Sequence, residues 1–363
     1  KECVADVKGQ YAYEWRVIMR IIDDQMNLPP ADPNGPPPTP IVLPKIEGTE
    51  TRQFTIRGPL LNRAPDSKTA PGRALGLVHP ELTAQAELSW QSASYVGVQA
   101  GPAVIPAKLE RSVAYLGPLD LTIAEGKVVG TPRLNLAGVA PLLEMDKGPV
   151  VQQMRISPEM CDGWMKFVAP LLAGVTRAEG KFSVDLEGAR VPVDQPELSS
   201  IGGVMTIHTA EVGPGPLAQQ YLNLAKQVKD IADGNYAGIG AMFTPGVAPD
   251  PNNNAATTNR GLLVLPQQQV KFEMIDGRVH HQGLQMTVKD VIITTRGSVG
   301  LDQTMELVAE VPMQDNWIKQ NSALASLKGQ TIQIPIRGTL ATPKVDLGVL
   351  KNLAANLGRS AAT

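Results

Sequence analysis

Histidine, cysteine and aromatic residues are scarce in this chain. Among 363 residues there are four histidines and two cysteines, and aromatic residues account for 4%. Zinc sites and nucleophile–base pairs need these residue types at characteristic spacings, and the sequence holds no C-x-x-C, H-E-x-x-H, G-x-S-x-G or P-loop pattern. The sequence therefore predicts no catalytic residue, no metal site and no cofactor, and we expect a protein that is not an enzyme.

Charge and long apolar runs are also limited. The formal net charge is −2 and the sequence pI is about 6.2, so no basic face is available to attract nucleic acid. No run reaches the roughly 18 consecutive apolar residues that a membrane-spanning helix needs. The sequence begins at Lys1, without Met, and we expect a piece of a longer protein whose membrane anchor lies upstream.

The few cysteines and histidines suit ordinary structural roles. Cys3 and Cys161 lie far apart in sequence, which predicts two buried thiols. His280 and His281 are adjacent, and neighbouring residues of a strand point to opposite faces, so this pair cannot chelate one metal ion without a bulge. We interpret both histidines as strand residues.

Alternating strands are what the chain does contain. Glycine (34 residues) and proline (31 residues) accompany 43% apolar residues, a balance typical of many turns. Within Glu81–Val98 apolar and polar residues alternate, and one face carries Leu82, Ala84, Ala86, Leu88 and Trp90. Short strands of the same kind follow one another from Val270 to Asp346. The pattern predicts a mainly β fold, a long curved antiparallel meander forming a half-pipe or groove.

About four short amphipathic helices are predicted beside the strands. The first begins at the Ser157-Pro158-Glu159 cap and ends near Gly174, and one face carries Met160, Trp164, Phe167, Val168 and Leu171. The others run over Pro216 to about Ile231, about Asp315–Leu327, and Leu347–Leu357 after an Asp346 cap. Residues 1–27 suit either a helix or a strand.

Two segments rich in proline, asparagine and alanine divide the chain. Leu28–Pro44 contains eight prolines and predicts an extended linker, and Thr244–Arg260 predicts a flexible loop. We assign 1–50 as an N-terminal fragment plus the proline-rich linker and 51–243 as a first β-groove unit with two helices. Residues 244–260 are the flexible loop, and 261–363 are a C-terminal β unit with terminal helices.

Short sequence matches within the chain predict a duplicated β unit. An acidic-Gly-basic tripeptide recurs at Glu125, Glu179 and Asp276, and we expect a hairpin turn at each. Separately, Gln53–Leu60 matches Gln333–Leu340 at five of eight positions.

The C-terminal third resembles a known family. Its motifs, in order, are Leu284-Gln285-Met286, Arg296-Gly297-Ser298-Val299-Gly300-Leu301-Asp302 and a closing Ile336-Arg337-Gly338-Thr339-Leu340-Ala341-Thr342-Pro343-Lys344. Over Phe272–Asp346 the chain is similar to the C-terminal region of AsmA-like envelope proteins, with looser similarity from about Pro118 to Val193. One departure is Gly300, where the family usually has Asp.

The resemblance implies a bridge-type lipid transfer protein of the bacterial envelope. Such a protein would lie in the periplasm, be anchored in the inner membrane, and carry phospholipid acyl chains along an apolar β groove between inner and outer membranes. Its partners would be phospholipid, a membrane and other envelope proteins. The lipid-groove candidates, which share strand faces, are Val270, Phe272, Met274, Met305, Leu307, Ala309 and Val311.

The sequence leaves an alternative open. Helices are few for about fourteen strands, so either lipid or a second sheet layer must cover the apolar face. In the second case the protein is a structural or assembly factor of the envelope with an internally packed β-sandwich. A hydrolase on a β scaffold is a further alternative, which lacks a visible nucleophile–base set.

Overall fold

The computed structural model describes residues 4–26, 43–60, 77–213, 215–235, 263–288 and 290–361. Cys3, the predicted loop at 244–260 and all but the last two residues of the predicted proline-rich linker lie outside these ranges.

Antiparallel strands make up most of the described chain. There are 22 of them among the described residues, which confirms the mainly β, antiparallel prediction; the predicted number was smaller because kinks divide several of the predicted strands. The strands of the first part are β1 Val4–Glu14, β2 Lys45–Glu47, β3 Thr49–Pro59, β4 Thr83–Trp90, β5 Ser92–Tyr95, β6 Val98–Ala100, β7 Ala103–Glu110, β8 Val113–Leu116, β9 Leu119–Ile123, β10 Gly126–Gly130, β11 Arg133–Asn135, β12 Leu142–Met145 and β13 Gly148–Arg155. The later strands are β14 Ala178–Pro192, β15 Ser200–Val212, β16 Leu263–Leu265, β17 Gln268–Ile275, β18 Arg278–Val288, β19 Val291–Gly300, β20 Thr304–Pro312, β21 Thr331–Thr339 and β22 Pro343–Val345.

The described helices are short apart from three. They are α1 Trp15–Met26, α2 Pro158–Met160, α3 Lys166–Val168, α4 Pro216–Ala232, α5 Asp315–Gln320 and α6 Gly348–Ala361. A π-helical turn at Cys161–Met165 joins α2 to α3, and 3-10 turns occur at Pro170–Leu172, Pro196–Leu198 and Ser322–Leu327.

The chain forms two compact units. Unit 1 comprises Lys1–Arg155 and Val184–Gly202, and unit 2 comprises Ile156–Ser183 and Gly203–Thr363. Each unit therefore draws on two separate stretches of sequence. The predicted division instead had boundaries after residue 50 and at the 244–260 loop.

Two runs of paired strands build unit 1. The first run passes through β1, β3, β4, β7, β8, β11, β12 and β14, and the second through β2, β5, β6, β9, β10 and β13. The chain passes from one run to the other at Gly48 and Gln91. The Gln91 N–H donates to the Glu47 carbonyl at 2.9 Å. Gly48 has φ +135°, and a Cβ there would lie 3.0 Å from the Gln91 nitrogen, so glycine suits this kink.

Unit 2 contains a meander and a buried core. Strands β17 to β22 pair in sequence order. Helix α4 packs against β18, β19 and β22, and α3 packs against β18 and β19. The predicted stripe of α4 is confirmed as core, because its members are at most 3% exposed: Leu217, Tyr221, Leu224, Val228 and Ile231.

The first predicted helix is interrupted, and one residue of its predicted apolar face is partly exposed. Ser157 caps the start as expected, accepting a hydrogen bond from the Met160 N–H at 3.3 Å. The π-helical turn then shifts the angular register of the residues that follow. Trp164 is 37% exposed and its ring lies 5.5 Å from that of the fully buried Phe182, whereas Met160 and Leu171 are fully buried. Trp164 therefore lies at the edge of the buried face.

The remaining helical predictions hold in outline. Residues 1–27, left open between strand and helix, contain both, β1 followed by α1. The helix predicted over 315–327 stops at Gln320, because Asn321 is extended (φ −133°) and its side chain caps the following turn through the Ala323 N–H. The Gly348 N–H donates to Asp346 at 2.9 Å at the start of α6.

Two of the three predicted hairpin turns are present. Asp276 and Gly277 have φ +48° and +69° between β17 and β18, and Ala124 and Glu125 have φ +46° and +62° between β9 and β10. The third prediction was wrong, because Glu179-Gly180 lies inside β14. Gly180 has φ +149°, and a Cβ there would lie 2.6 Å from the Thr209 carbonyl oxygen, so this glycine allows close approach of a neighbouring backbone.

The matching segments in β3 and β21 share a backbone feature. Gly58 and Gly338 lie at equivalent positions and have φ +116° and +102°. A Cβ would lie 2.5 Å from the Glu81 carbonyl oxygen at Gly58 and 2.6 Å from the Thr342 carbonyl oxygen at Gly338. The sequence echo therefore corresponds to one repeated backbone conformation.

Candidate functional site

One face of unit 1 is apolar across eight strands. Directly opposed residues of an antiparallel pair lie on the same face. One apolar residue from each strand of the first run is directly opposed to the next. We call this set the apolar row; it consists of Val7, Ile56, Ala84, Leu109, Ala114, Leu134, Leu143 and Val191.

The next residue along in each strand belongs to the opposite face, which is polar. These residues are also directly opposed from strand to strand. We call them the polar row; it consists of Lys8, Thr55, Gln85, Lys108, Tyr115, Arg133, Glu144 and Arg190. The sheet of unit 1 is therefore amphipathic. A shift of one residue in the pairing of any strand would exchange its apolar and polar faces, so the two rows specify the register.

The apolar row is only partly covered. Val7 is 46% exposed, and the other seven members are half-buried. Helix α1, the one α-helix in the described part of unit 1, packs against β1 and β2, at one end of the row. We refer to the apolar row and the apolar residues beside it on the same strands as the open face.

Apolar residues continue through the second strand run of unit 1. Ile46, Ala93, Ala100 and Ile123 are directly opposed in succession, and of these only Ile123 is buried. Leu121 is opposed to Val128 in the same run. Both runs thus present aliphatic side chains on one face.

An aromatic cluster stands at one end of the open face. The rings of Tyr11 and Tyr13 stack with centroids 5.5 Å apart, and Trp15 meets Tyr13 edge-on, also at 5.5 Å. Their polar atoms bond to the backbone of β4. The Tyr11 hydroxyl donates to the Glu87 carbonyl, and the Trp15 indole donates to the Ser89 carbonyl at 2.5 Å. The cluster anchors β1 across β3, because β3 and β4 themselves pair over only three residues.

A cavity of about 690 Å³ opens where β3 and β4 separate. Its lining is largely polar and includes Gln10, Gln53, Gln85, Glu87 and Lys108. Arg52 is held nearby by Glu50 at 3.0 Å and by the Ser89 hydroxyl at 2.8 Å. Such a lining suits water and polar groups, so the cavity does not extend the apolar surface.

The structure places all seven predicted groove residues in unit 2, where they are buried. Their exposures are at most 8%: Val270, Phe272, Met274, Met305, Leu307, Ala309 and Val311. They share one face of the β17–β20 meander, since Phe272 opposes His281 and Gly297 opposes Leu307 across the intervening strands. Their assignment to a lipid groove stays a prediction.

The two adjacent histidines separate as expected. His280 is exposed, whereas His281 is 3% exposed within the core of unit 2. The ring Nε2 of His281 lies 3.2 Å from the Thr295 hydroxyl. Burial, and to a smaller degree the neighbouring His280, lowers the pKa of His281 to about 4. The ring is therefore neutral at physiological pH and acts as a core residue.

The groove residues expected from the sequence did not include any residue of the open face of unit 1. The alternation of apolar and polar residues that marks this face was nevertheless present. The period-two alternation of Glu81–Val98 placed Ala84, Ala86 and Leu88 on one face, and the structure confirms this through their pairing with Leu109, Ala107 and Ile105. Sequence alone gave no indication of which strand faces helices would cover.

The described residues contain no cluster of three or more potential metal ligands, and none of their helices combines the length and apolarity required to cross a membrane.

Comparisons with protein-family models, with curated proteins and with solved structures find no match to this chain.

Proposed function

We propose that the protein binds the acyl chains of phospholipids on the open face of unit 1 and serves as part of a lipid conduit in the bacterial envelope. The observation that carries this proposal is the apolar row, eight directly opposed aliphatic residues that remain half-buried or exposed. A continuous apolar surface that is left partly uncovered marks an interaction site.

The dimensions of the row suit acyl chains. Neighbouring strands lie about 4.8 Å apart, so eight strands extend the row over about 34 Å. The hydrocarbon core of a bilayer, which holds two acyl chains end to end, is about 30 Å thick. The open face therefore offers enough length for about two acyl chains laid across the strands.

The composition of the row favours lipid over a protein partner. The cores of protein interfaces are enriched in aromatic residues, methionine and arginine. The apolar row contains only valine, isoleucine, leucine and alanine. Hydrocarbon chains make no directional contacts. An aliphatic surface such as the apolar row is therefore sufficient to bind them.

Unit 2 shows how the same chain covers a sheet face with protein. There α4 lies over the meander and the apolar residues are nearly inaccessible. This packed core favours a second candidate function, that of a structural or assembly factor, for which the open face of unit 1 would be closed by protein. The AsmA-like resemblance and the composition of the row favour the lipid conduit.

Lipid occupancy of the purified chain tests the proposal. The chain is purified in minimal detergent, and bound phospholipid is measured by native mass spectrometry and by lipid extraction. Two matched variants place the same charge on opposite faces of β4: Ala84→Glu in the apolar row and Gln85→Glu in the polar row. We expect phospholipid on the wild type and on Gln85→Glu, and a several-fold loss on Ala84→Glu.

Two outcomes would overturn the proposal. One is a folded wild-type chain that carries no phospholipid and takes up none from vesicles, which would favour the assembly factor. The other is equal occupancy in Ala84→Glu and Gln85→Glu at equal folded content by circular dichroism, which would place any bound lipid away from the open face.

A further inference from the structure

Strand β1 has a free edge. It pairs with β3 along its full length, Val4 opposite Pro59 through Glu14 opposite Thr49. Among the described residues, no strand pairs with the other edge of β1. A strand of eleven residues thus presents an unused row of backbone donors and acceptors.

Several protections of an edge strand are missing from β1, although the charges of Asp6 and Lys8 remain. Proteins blunt such edges with charged side chains, proline, bulges or very short strands. Residues 4–14 contain no proline, and none of them has a positive φ. Val4 is 63% exposed and Val7 is 46% exposed at this edge. The strand is therefore regular and long, and only a partner that complements its charges can pair with it.

Two segments of this chain outside the described residues, 27–42 and 61–76, have sequences poorly suited to fill the edge. Residues 27–42 contain seven prolines, which cannot donate to a ladder. Residues 61–76 lack an alternating apolar pattern and contain Pro65, Pro71 and Gly72. The partner is better sought in a second chain.

The sequence of β1 complements itself. In an antiparallel pair of two β1 strands centred on Val7, Val7 opposes the partner's Val7 and Ala5 opposes the partner's Gly9. Asp6 then opposes the partner's Lys8, and this pair occurs twice by symmetry. Opposite charges directly across strands are favourable. We propose that two copies of this chain pair through the free edges of β1 in this register.

The register leaves the rest of unit 1 undisturbed. Among the described residues it overlaps Val4–Gln10 of each copy, and Tyr11 and Tyr13, whose hydroxyls bond to β4, lie outside this described overlap. Helix α1 begins at Trp15 and also lies beyond it. Asp6 keeps its 3.2 Å contact with Arg57 on β3, since a carboxylate can accept from both neighbours.

Pairing would join the two open faces. The symmetry axis of an antiparallel edge pair stands perpendicular to the sheet, so both apolar rows face the same side. Val7 ends the row in each copy, and the two rows would continue through the Val7 pair over sixteen strands. This role for the dimer rests on the proposed function, whereas the pairing itself does not.

Charge reversal tests the pairing and its register. The mass of the full chain is measured by sedimentation equilibrium over a range of concentrations. We expect concentration-dependent dimer, twice the 38.7 kDa of one chain, which weakens as salt screens the exposed charges. Asp6→Lys and Lys8→Asp each place like charges opposite one another, and we expect at least a several-fold loss of dimer. The double variant Asp6→Lys/Lys8→Asp restores opposite charges, and we expect it to dimerise again.

A cross-link provides a second readout. Opposed Cβ atoms in an antiparallel pair are about 4.5–5.5 Å apart, which is close enough for a disulfide after small adjustment. Val7→Cys in a Cys3→Ser background is therefore expected to form a covalent dimer under mild oxidation; Cys161 is buried and does not compete. Gln10→Cys in the same background is the control, because position 10 opposes Val4 of the partner.

A chain that is monomeric at all concentrations would overturn the inference. A dimer whose affinity is unchanged by either single charge reversal would also overturn it. Equal cross-linking rates for Gln10→Cys and Val7→Cys would overturn the proposed register. These results concern mass and cross-linking, so they are independent of lipid occupancy. A monomer that binds phospholipid would contradict the proposed dimer and leave the proposed function in place. A dimer without phospholipid would contradict the proposed function and leave the dimer in place.

Discussion

Tyr13 and Ser89 are joined by two hydrogen bonds that use the tyrosine hydroxyl as both donor and acceptor. The Ser89 N–H donates to Tyr13 Oη at 2.8 Å, and the Tyr13 hydroxyl donates to the Ser89 carbonyl at 2.9 Å. The phenol thereby substitutes for a strand partner where β3 leaves β4. A side chain supplies the backbone pairing that the ladder lacks at this point.

Removing this hydroxyl should weaken unit 1. Tyr13→Phe leaves the Ser89 N–H without its acceptor in a partly buried site, and we expect a loss of about 1–2 kcal/mol in the free energy of unfolding. Urea denaturation followed by tryptophan fluorescence measures it. Tyr95→Phe, at a residue 49% exposed, is the control and should change the free energy by less than about 0.5 kcal/mol. Equal effects of the two variants would contradict the role assigned to Tyr13.

The repeated Arg-Gly sites should not tolerate a side chain. At Gly58 and Gly338 a Cβ would meet a neighbouring carbonyl oxygen, and both residues have positive φ. We expect Gly58→Ala and Gly338→Ala each to cost about 1–3 kcal/mol of stability. Gly101→Ala is a matched control, because no atom lies within 4 Å of the Cβ position there. Thermal and urea unfolding should therefore leave Gly101→Ala close to wild type.

His281 should make the stability of unit 2 depend on pH. Its pKa is lowered by burial from 6.5 to about 4 in the folded state. Between these values the unfolded chain binds a proton that the folded chain excludes, so stability is lost as pH falls from about 6.5 towards 4. The loss is at most about 3 kcal/mol. We expect the difference in unfolding free energy between pH 7 and pH 4.5 to shrink in His281→Phe but not in His280→Gln. Parallel pH profiles for wild type and His281→Phe would contradict this.

Cys161 should be unreactive while unit 2 is folded. Burial, with smaller contributions from the nearby Asp162 and Glu159 carboxylates, raises the pKa of its thiol to about 12. Because the thiolate is the reactive form, we expect no labelling by a disulfide reagent at pH 8 in a Cys3→Ser chain. Full labelling should follow addition of denaturant. Rapid labelling without denaturant would show that this part of unit 2 opens readily.

Local patterns in the sequence predicted much of the fold. Alternation in Glu81–Val98 and helical spacing in α4 each placed the correct residues on one face. These predictions depend on the geometry of a single element, which the period of its apolar residues reveals. The cap at Ser157 and the Asp276-Gly277 turn were predictable for the same reason.

Features that depend on neighbouring elements were not predictable. The acidic-Gly-basic pattern at Glu179 resembles the turn at Asp276, yet Gly180 lies inside a strand because another backbone passes close to it. The π-helical turn at Cys161–Met165, which interrupts the first predicted helix, left no pattern in the sequence. The openness of the apolar row depends on where helices pack, and periodicity carries no information about that.

The division of unit 2 has a consequence for synthesis on the ribosome. Residues 156–183 are made before the last strand segment of unit 1, but their apolar side chains, among them Met160 and Leu171, are buried within a unit completed only by 203–363. At about 5–20 residues per second, the 161 residues from 203 to 363 take about 8–30 s to emerge. Throughout that interval the apolar side chains of 156–183 lack the rest of the unit that buries them, and this segment would be the natural place for a chaperone to bind.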